Sequence, residues 1–454
     1  MPTLKRAGRG ALAATCAWAL AGCTPDAPPR PNLLLITVDT LRADALGVYG
    51  YDRPTSPGID AWARGAARFE SAMATSSWTL PTLATLHTGQ LPSTTHTPDF
   101  AASLPLEFDT LAERLRVAGF ETAAIATHTF LGVRHGLHQG FTHFDDDMVL
   151  YVADSHAEVT SDRVTGRAMT FIDRMEAARE RNGDRPWFLW VHYFDPHDSY
   201  LAHEGFSEPF GLDDNRDLYD GEIAYTDHHL STLLDYLEQS GVADQTLVCL
   251  VADHGEEWRD HGGLKHGETL YEEVLRVPLL FAGPGVEPGV VEEPVSTLDV
   301  FPTLHELLGL PLDTTAGPGT SLVELWRGGG LDRERGEMVA ELQLGTGREL
   351  LAIRAGDEKL ILDLAADTAA LYDLGEDPLE QRDLSALRPE RVEQLSIRLG
   401  YALDVATQAG QPFAPSGAVG FSPGERGALS NLGYVDDEPE PLAPGTGVSE
   451  DAER

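Results

Sequence analysis

The sequence predicts an α/β fold: a mostly parallel central sheet with helices on both faces, followed by a small C-terminal antiparallel sheet with one helix. Three observations carry that prediction. Short, almost wholly apolar runs recur along the first 330 residues, as strands buried on both faces require. Amphipathic stretches of helical length separate them. From about residue 336 the pattern changes to short strand-like pieces at hairpin spacing.

At the N-terminus, Lys5, Arg6 and Arg9 precede ALAATCAWALAGC (11–23), an apolar run too short to be a permanent membrane span. It ends in Leu20-Ala21-Gly22-Cys23, which resembles a bacterial lipobox. Residues 1–23 are therefore expected to be a lipoprotein signal peptide. The mature chain would be exported and lipid-anchored at Cys23 in the bacterial cell envelope, facing the periplasm or in the outer membrane. An ordinary secretory signal is the alternative, and export follows either way. TPDAPPRP (24–31) is a Pro-rich linker of the semi-rigid kind.

The main domain, 32–330, contains the buried-strand candidates NLLLITV (32–38), TAAIAT (122–127), WFLWVH (187–192), TLVCLVA (246–252) and VPLLFA (277–282). Between them, Asp109 is expected to cap a helix over DTLAERLRVAG, and further helices are expected over 160–181, 221–241 and 299–309. In the C-terminal subdomain, 336–408, MVAEL, ELLAIR, EKLIL and ALYDL read as strands, with a helix near 388–406. Residues 409–454, rich in Gly, Pro and acids, are expected to be a partly disordered tail.

The net charge of −40 argues against nucleic acid or an anionic membrane surface as a partner. It also means that an anionic substrate needs a locally positive site, supplied by metal ions or by the few cations. Of three cysteines, Cys16 leaves with the signal, Cys23 would carry lipid and Cys249 lies in a buried strand, so the mature chain has no disulfide framework.

Chemistry collects after the strands. The first runs into Asp39, the third into HYFDPH (His192 to His197) and the fourth into Asp253-His254-Gly255-Glu256. Ligands of open parallel sheets bind outside the carboxyl ends of the strands, so these acids and histidines share one rim. Carboxylates with imidazole suit Zn, Mn or Fe, whereas an all-oxygen set would suit Ca or Mg. SSWTLPTLATLHTG (76–89) belongs to the same rim. Thr79 is placed as the N-cap of a helix, with Pro81 in its first turn and Gly89 at its end. Such a terminus also favours a bound anion, and a nearby metal would activate the hydroxyl, so cap and nucleophile are both open roles. His192 is a weaker candidate. His87, His128, His135, His138, His143 and His156 read as surface or structural histidines, and Asp145 to Asp147 as a solvated loop.

PNLLLITVDTLRAD, SSWTLPTLATLHTG, FLWVHYFDPHDSY, VADHGEEW and KHGETLYEEVLRVPLLF, in that order, resemble the sulfatase family of the alkaline phosphatase superfamily. ALYDLGEDPLEQRDL and ALSNLGYV are similar to that family's closing subdomain, so the resemblance covers nearly all of 32–435. It implies a metal-dependent hydrolase of sulfate or phosphate esters, acting on a small molecule or a glycan. It puts Asp39, Asp253 and His254 on metal-ligand positions and Thr79 on that of the nucleophile, itself a metal ligand. His197, Lys265 and His266 fall near positions that contact the anion or protonate the leaving group. Lys265 has an independent hint: Lys359 is the only other lysine after the signal segment.

The departures from that pattern are informative. Many family members carry Cys or Ser in C/S-x-P-x-R and oxidise it to formylglycine; here Thr79 cannot be so oxidised, and no formylglycine is expected. Thr40 replaces a second family aspartate, and His254 stands where calcium sulfatases commonly have Asn. The expected cofactor is one divalent metal ion, Zn or Mn favoured over Ca. A threonine sulfate has no eliminative exit, whereas a threonine phosphate can be resolved by water or passed to an acceptor. Phosphodiester or phosphonate monoester hydrolysis, phosphotransfer in the envelope, and noncatalytic glycan binding are the rival functions.

Overall fold

The computed structural model describes residues 30–149, 160–183, 185–312, 317–330, 337–344 and 348–431. The expected signal peptide, Cys23 and most of the expected linker lie outside these residues. No helix among the described residues is long and apolar enough to cross a membrane.

In chain order the strands of the main domain are β1 (Asn32–Val38), β2 (Ala67–Met73), β3 (Glu121–Ile125), β4 (His143–Asp145), β5 (Trp187–Tyr193), β6 (Thr246–Ala252), β7 (Glu257–Trp258), β8 (Leu264–Lys265), β9 (Arg276–Ala282), β10 (Gly289–Val291) and β11 (Val295–Ser296). Among the described residues the main sheet has nine strands in the order β10-β2-β9-β6-β1-β5-β3-β4, with β11 beside β2; β7 and β8 form a separate hairpin. Every residue of β1, β5 and β6 is buried, which is why these runs are apolar on both faces.

Register decides where the chemistry lands. β1 runs parallel to both β5 and β6, with Val38 opposite Tyr193 and Ala252. β3 is parallel to β5, with Ile125 opposite Val191. The segments after these four strands therefore emerge at one rim.

The mostly parallel expectation holds for the centre of the sheet, but β9 runs antiparallel to both β6 and β2. A parallel return needs a crossover across the sheet. The connection from β6 to β9 instead stays at the rim, occupied by the β7–β8 hairpin and the four-residue helix Glu272–Leu275.

Two local expectations are corrected. The helix Leu111–Val117 is capped by Thr110, not Asp109: Thr110 and Glu113 form a reciprocal capping box, and Asp109 pairs with Arg114 at 2.9 Å. The long helix expected over 221–241 begins a turn and a half earlier, as Asn215–Gln239, capped by Asp214. Residues at the start of the expected tail are packed: Phe413 stacks on Phe108, and the helix Pro423–Asn431 buries Leu429.

The second sheet is an antiparallel meander of β12 (Glu337–Gln343), β13 (Glu349–Ala355), β14 (Glu358–Asp363) and β15 (Thr368–Asp373). The helix Pro389–Gly410 lays Leu395 and Leu399 against its apolar residues Ile353, Leu360 and Leu371. Two contacts tie this sheet to the rim. Lys359, wholly buried, holds Glu272 at 2.9 Å and Glu380 at 3.0 Å, and removing one partner of such a buried group typically costs about 3–5 kcal/mol. The Glu341 N–H donates to Thr75 O at 2.9 Å, which sets β12 against the segment that leads into Thr79.

Candidate active site

Asp39 follows β1 directly, its N–H donating to Tyr193 O at 2.9 Å. The next residue, Thr40, has φ 54°, a left-handed conformation that a β-branched residue rarely adopts. That turn aims the Thr40 N–H at Asp253 Oδ1 at 3.2 Å, and the His254 N–H donates to the same oxygen at 2.8 Å. The carboxylate after β6 is thereby oriented by two backbone donors, with Oδ2 left over.

His254 is oriented just as firmly. Its Nδ1 lies 2.9 Å from Gly255 O, a pure acceptor, so Nδ1 carries the proton and Nε2 presents a lone pair. That lone pair faces Thr79 Oγ1 at 3.4 Å, Asp253 Oδ2 at 3.5 Å and Asp39 Oδ1 at 3.6 Å. Asp39 Oδ1 and Asp253 Oδ2 are buried and have no hydrogen-bond partner. Burial, together with Asp253 and Glu256, pushes the Asp39 carboxyl well above the usual carboxylate range, and burial raises Asp253 too. Two carboxylate oxygens and the threonine hydroxyl thus surround the His254 lone pair in a buried site. A divalent cation satisfies them all, and the donor set fits one. Asp39, His192 and Asp253 form an overlapping group that could also hold metal. His192 Nε2 lies 3.2 Å from Asp39 Oδ2, and its Nδ1 2.8 Å from Thr37 Oγ1.

Thr79 does not cap its helix. The helix is Thr79–Thr88, Trp78 occupies the N-cap position, and Thr79 is the first helical residue. Its side chain is turned to His254 instead, which leaves the free N–H groups of the first turn around it.

The remaining residues surround this centre. Asp195 accepts from the Ser161 N–H at 2.9 Å and the Ser161 hydroxyl at 2.6 Å, which fixes the turn after β5. Within that turn His197 stacks on Phe194, with Nδ1 2.6 Å from Asp198 O. His266 Nδ1 lies 3.1 Å from Glu256 Oε1, and its ring is 4.5 Å from that of His254 and 4.9 Å from that of His197, centroid to centroid. Lys265, at φ 67°, pairs with Asp198 at 3.0 Å.

Two contributors were missed by sequence reasoning. His128, read as structural, follows β3 and lies with Asp39 and His197 in a compact buried group. Its Nδ1 accepts from the Phe130 N–H at 3.1 Å, so the proton sits on Nε2, and His128 offers a donor rather than a lone pair. The signal was the parallel strand it terminates. Glu256 is held between the Tyr200 hydroxyl at 2.7 Å and His266, and burial raises its carboxyl to about 8. Of the other histidines read as structural, His87 is buried against Trp190 with burial lowering it to about 3, and His135 packs on Phe130. His156 lies outside the described residues.

Residues 31–310 match the family described as Sulfatase. The chain belongs to the sulfatase family. Among relatives of this sulfatase-family protein, the choline-sulfatase of Rhizobium meliloti is 28% identical over 443 residues, covering 81% of this chain and 85% of that protein. Arylsulfatase A of Homo sapiens is 29% identical over 426 residues, covering 78% and 83%. The crystal structure of phosphonate monoester hydrolase of Agrobacterium radiobacter superposes with a TM-score of 0.68 at 21% identity, over 84% of this chain and 96% of that one, which shows the shared fold.

Proposed function

We propose that this sulfatase-family protein is a metal-dependent hydrolase that cleaves a sulfate or phosphate ester through Thr79 as the nucleophile. The observation that carries the reading is the convergence of Thr79 Oγ1, Asp39 Oδ1 and Asp253 Oδ2 on the lone pair of His254 Nε2. Asp39, Thr79, Asp253 and His254 would hold one divalent ion, which supplies Lewis acidity for the hydroxyl and for an ester oxygen. An imidazole beside two carboxylates and a hydroxyl is a donor set that favours Zn or Mn over Ca, which takes oxygen ligands.

The chain's own residues do the rest. The N–H groups of the Thr79–Thr88 helix face the anion, and the Thr79 hydroxyl gives up its proton to water as its Oγ attacks sulfur or phosphorus in line. The bond from that atom to the leaving oxygen breaks, and His197 Nε2 delivers a proton to the departing alcohol. His128 Nε2–H, His266 and Lys265 stabilise the equatorial oxygens. Water then cleaves the threonine ester and regenerates the hydroxyl. A side chain that cannot become an aldehyde favours phosphorus as the second reading, including transfer of the phosphoryl group to an envelope acceptor.

The substrates are read as small molecules or glycans bearing such an ester, and the protein as exported and lipid-anchored at Cys23. A panel of aryl sulfate, phosphate monoester, phosphodiester and phosphonate monoester, assayed with Zn, Mn and Ca separately, tests the activity. Turnover of none of them with any metal would refute it. Release of Cys23→Ser protein from the membrane fraction tests the anchor.

A further inference from the structure

Asp198 has no part in the reaction as read, yet it holds the lysine of the site. Lys265 Nζ lies 3.0 Å from Asp198 Oδ2, and the Asp198 side chain is only 13% exposed. Each of the two adjoins a histidine of the site: Asp198 follows His197 and Lys265 precedes His266, and the rings of those histidines lie 4.9 Å apart. The ion pair thus bridges the turn after β5 and the β7–β8 hairpin. The Gly267 N–H donates to Ser77 O at 2.9 Å, which ties the segment carrying Lys265 to the residues that lead into Thr79. The pair is held beside the start of the Thr79 helix.

Positive charge is scarce there. The first turn of that helix, Thr79-Leu80-Pro81-Thr82-Leu83, contains no cation. Arg42, three residues past Asp39, is engaged by Asp44 at 2.7 Å and Asp260 at 3.2 Å. Among the described residues placed around Thr79, Lys265 is the one lysine or arginine; the others offer imidazoles and backbone N–H groups. Asp39 and Asp253 together match a divalent ion in charge, and Asp198 offsets Lys265 as well. A carboxylate so little exposed is weakly screened by salt. An ester with one negative charge can be held by hydrogen bonds in such a place. An ester with two meets the Asp198 charge at twice the cost, because Coulomb energy scales with the charge of the ligand.

We propose that Asp198 is a specificity-determining residue: by offsetting Lys265 it biases the site toward esters that bear one negative charge and against those that bear two. The assignment rests on the reading of this centre as one that cleaves a sulfate or phosphate ester. It narrows the phosphorus alternatives, because a diester carries one charge and a phosphate monoester two. Asp198 acts through Lys265 and through its own field, not in the chemical step.

The test is calorimetric titration of the full chain, at matched metal content, with benzenesulfonate and phenylphosphonate. These probes share one shape and carry one and two charges when the phosphonate is fully ionised. Asp198→Asn is expected to tighten phenylphosphonate about tenfold and benzenesulfonate about threefold, the relation that their charges dictate. Asp198→Glu keeps the charge and is expected to leave both affinities within about twofold. Lys265→Gln should act the other way, weakening the phosphonate more than the sulfonate, and it serves alone if Asp198→Asn does not fold. Equal shifts of the two probes in Asp198→Asn, a shift as large in Asp198→Glu, or equal losses in Lys265→Gln would overturn the proposal. Turnover of 4-nitrophenyl sulfate and bis(4-nitrophenyl) phosphate by the same samples separates the two claims. Turnover without the charge-dependent shift sinks the Asp198 assignment alone. The shift without turnover of any ester keeps Asp198 as a determinant of anion binding and sinks the hydrolase reading.

Discussion

Thr79 Oγ1 stands 3.4 Å from His254 Nε2, and the hydroxyl shares that nitrogen with two carboxylate oxygens, Asp253 Oδ2 at 3.5 Å and Asp39 Oδ1 at 3.6 Å. The helix that begins at Thr79 does not use this side chain as a cap.

If Asp39, Asp253 and His254 hold the cation, losing the imidazole must weaken it. His254→Ala is expected to lower metal affinity by more than the roughly 10–100-fold that outer-sphere losses cause. Metal content after dialysis against a buffered chelator measures this, and an unchanged stoichiometry would remove His254 from the ligand set.

His197 is read as the proton donor, so its importance should follow the leaving group. His197→Asn is expected to slow alkyl esters by about 10²–10⁴-fold and 4-nitrophenyl esters far less, because nitrophenolate leaves without a proton. A uniform loss across both kinds of substrate would show that His197 positions the anion instead.

His261 offers a test of the fold through pH. Burial alone would lower its pKa, but Glu273 at 2.6 Å, with help from Glu380 O, raises it to about 9. The folded value lies above the unfolded one, so the contribution to stability is complete below about pH 6.5 and fades as pH rises through 9. His261→Gln should therefore cost about 1 kcal/mol at pH 6 and close to nothing at pH 10, read from urea midpoints. A pH-independent cost would mean that packing on Tyr271, rather than charge, sets its role.

Much of the centre was legible because buried parallel strands are continuous apolar runs, and Asp39 and Asp253 each sit one residue past such a run. Their meeting follows from the direct parallel pairing of those two strands. His128 was not legible in the same way. Its strand is short, two residues separate it from Ile125, and a lone histidine after a strand is usually structural. The direction of β9 was hidden for a different reason: a buried strand reads the same both ways, and only the rim-side hairpin before it forces the return. The Thr110–Glu113 capping box was present in the sequence, yet Asp109 one residue earlier was the stronger-looking cap. For Thr79 the error was a single helical position, enough to turn the side chain from the helix terminus to His254.

The central claim is tested most directly by turnover of Thr79→Ala, prepared with the same metal content as the wild type. The account predicts a loss of at least about a thousandfold on every substrate that the wild type hydrolyses, with metal still bound. Full turnover by the metal-loaded variant would contradict it.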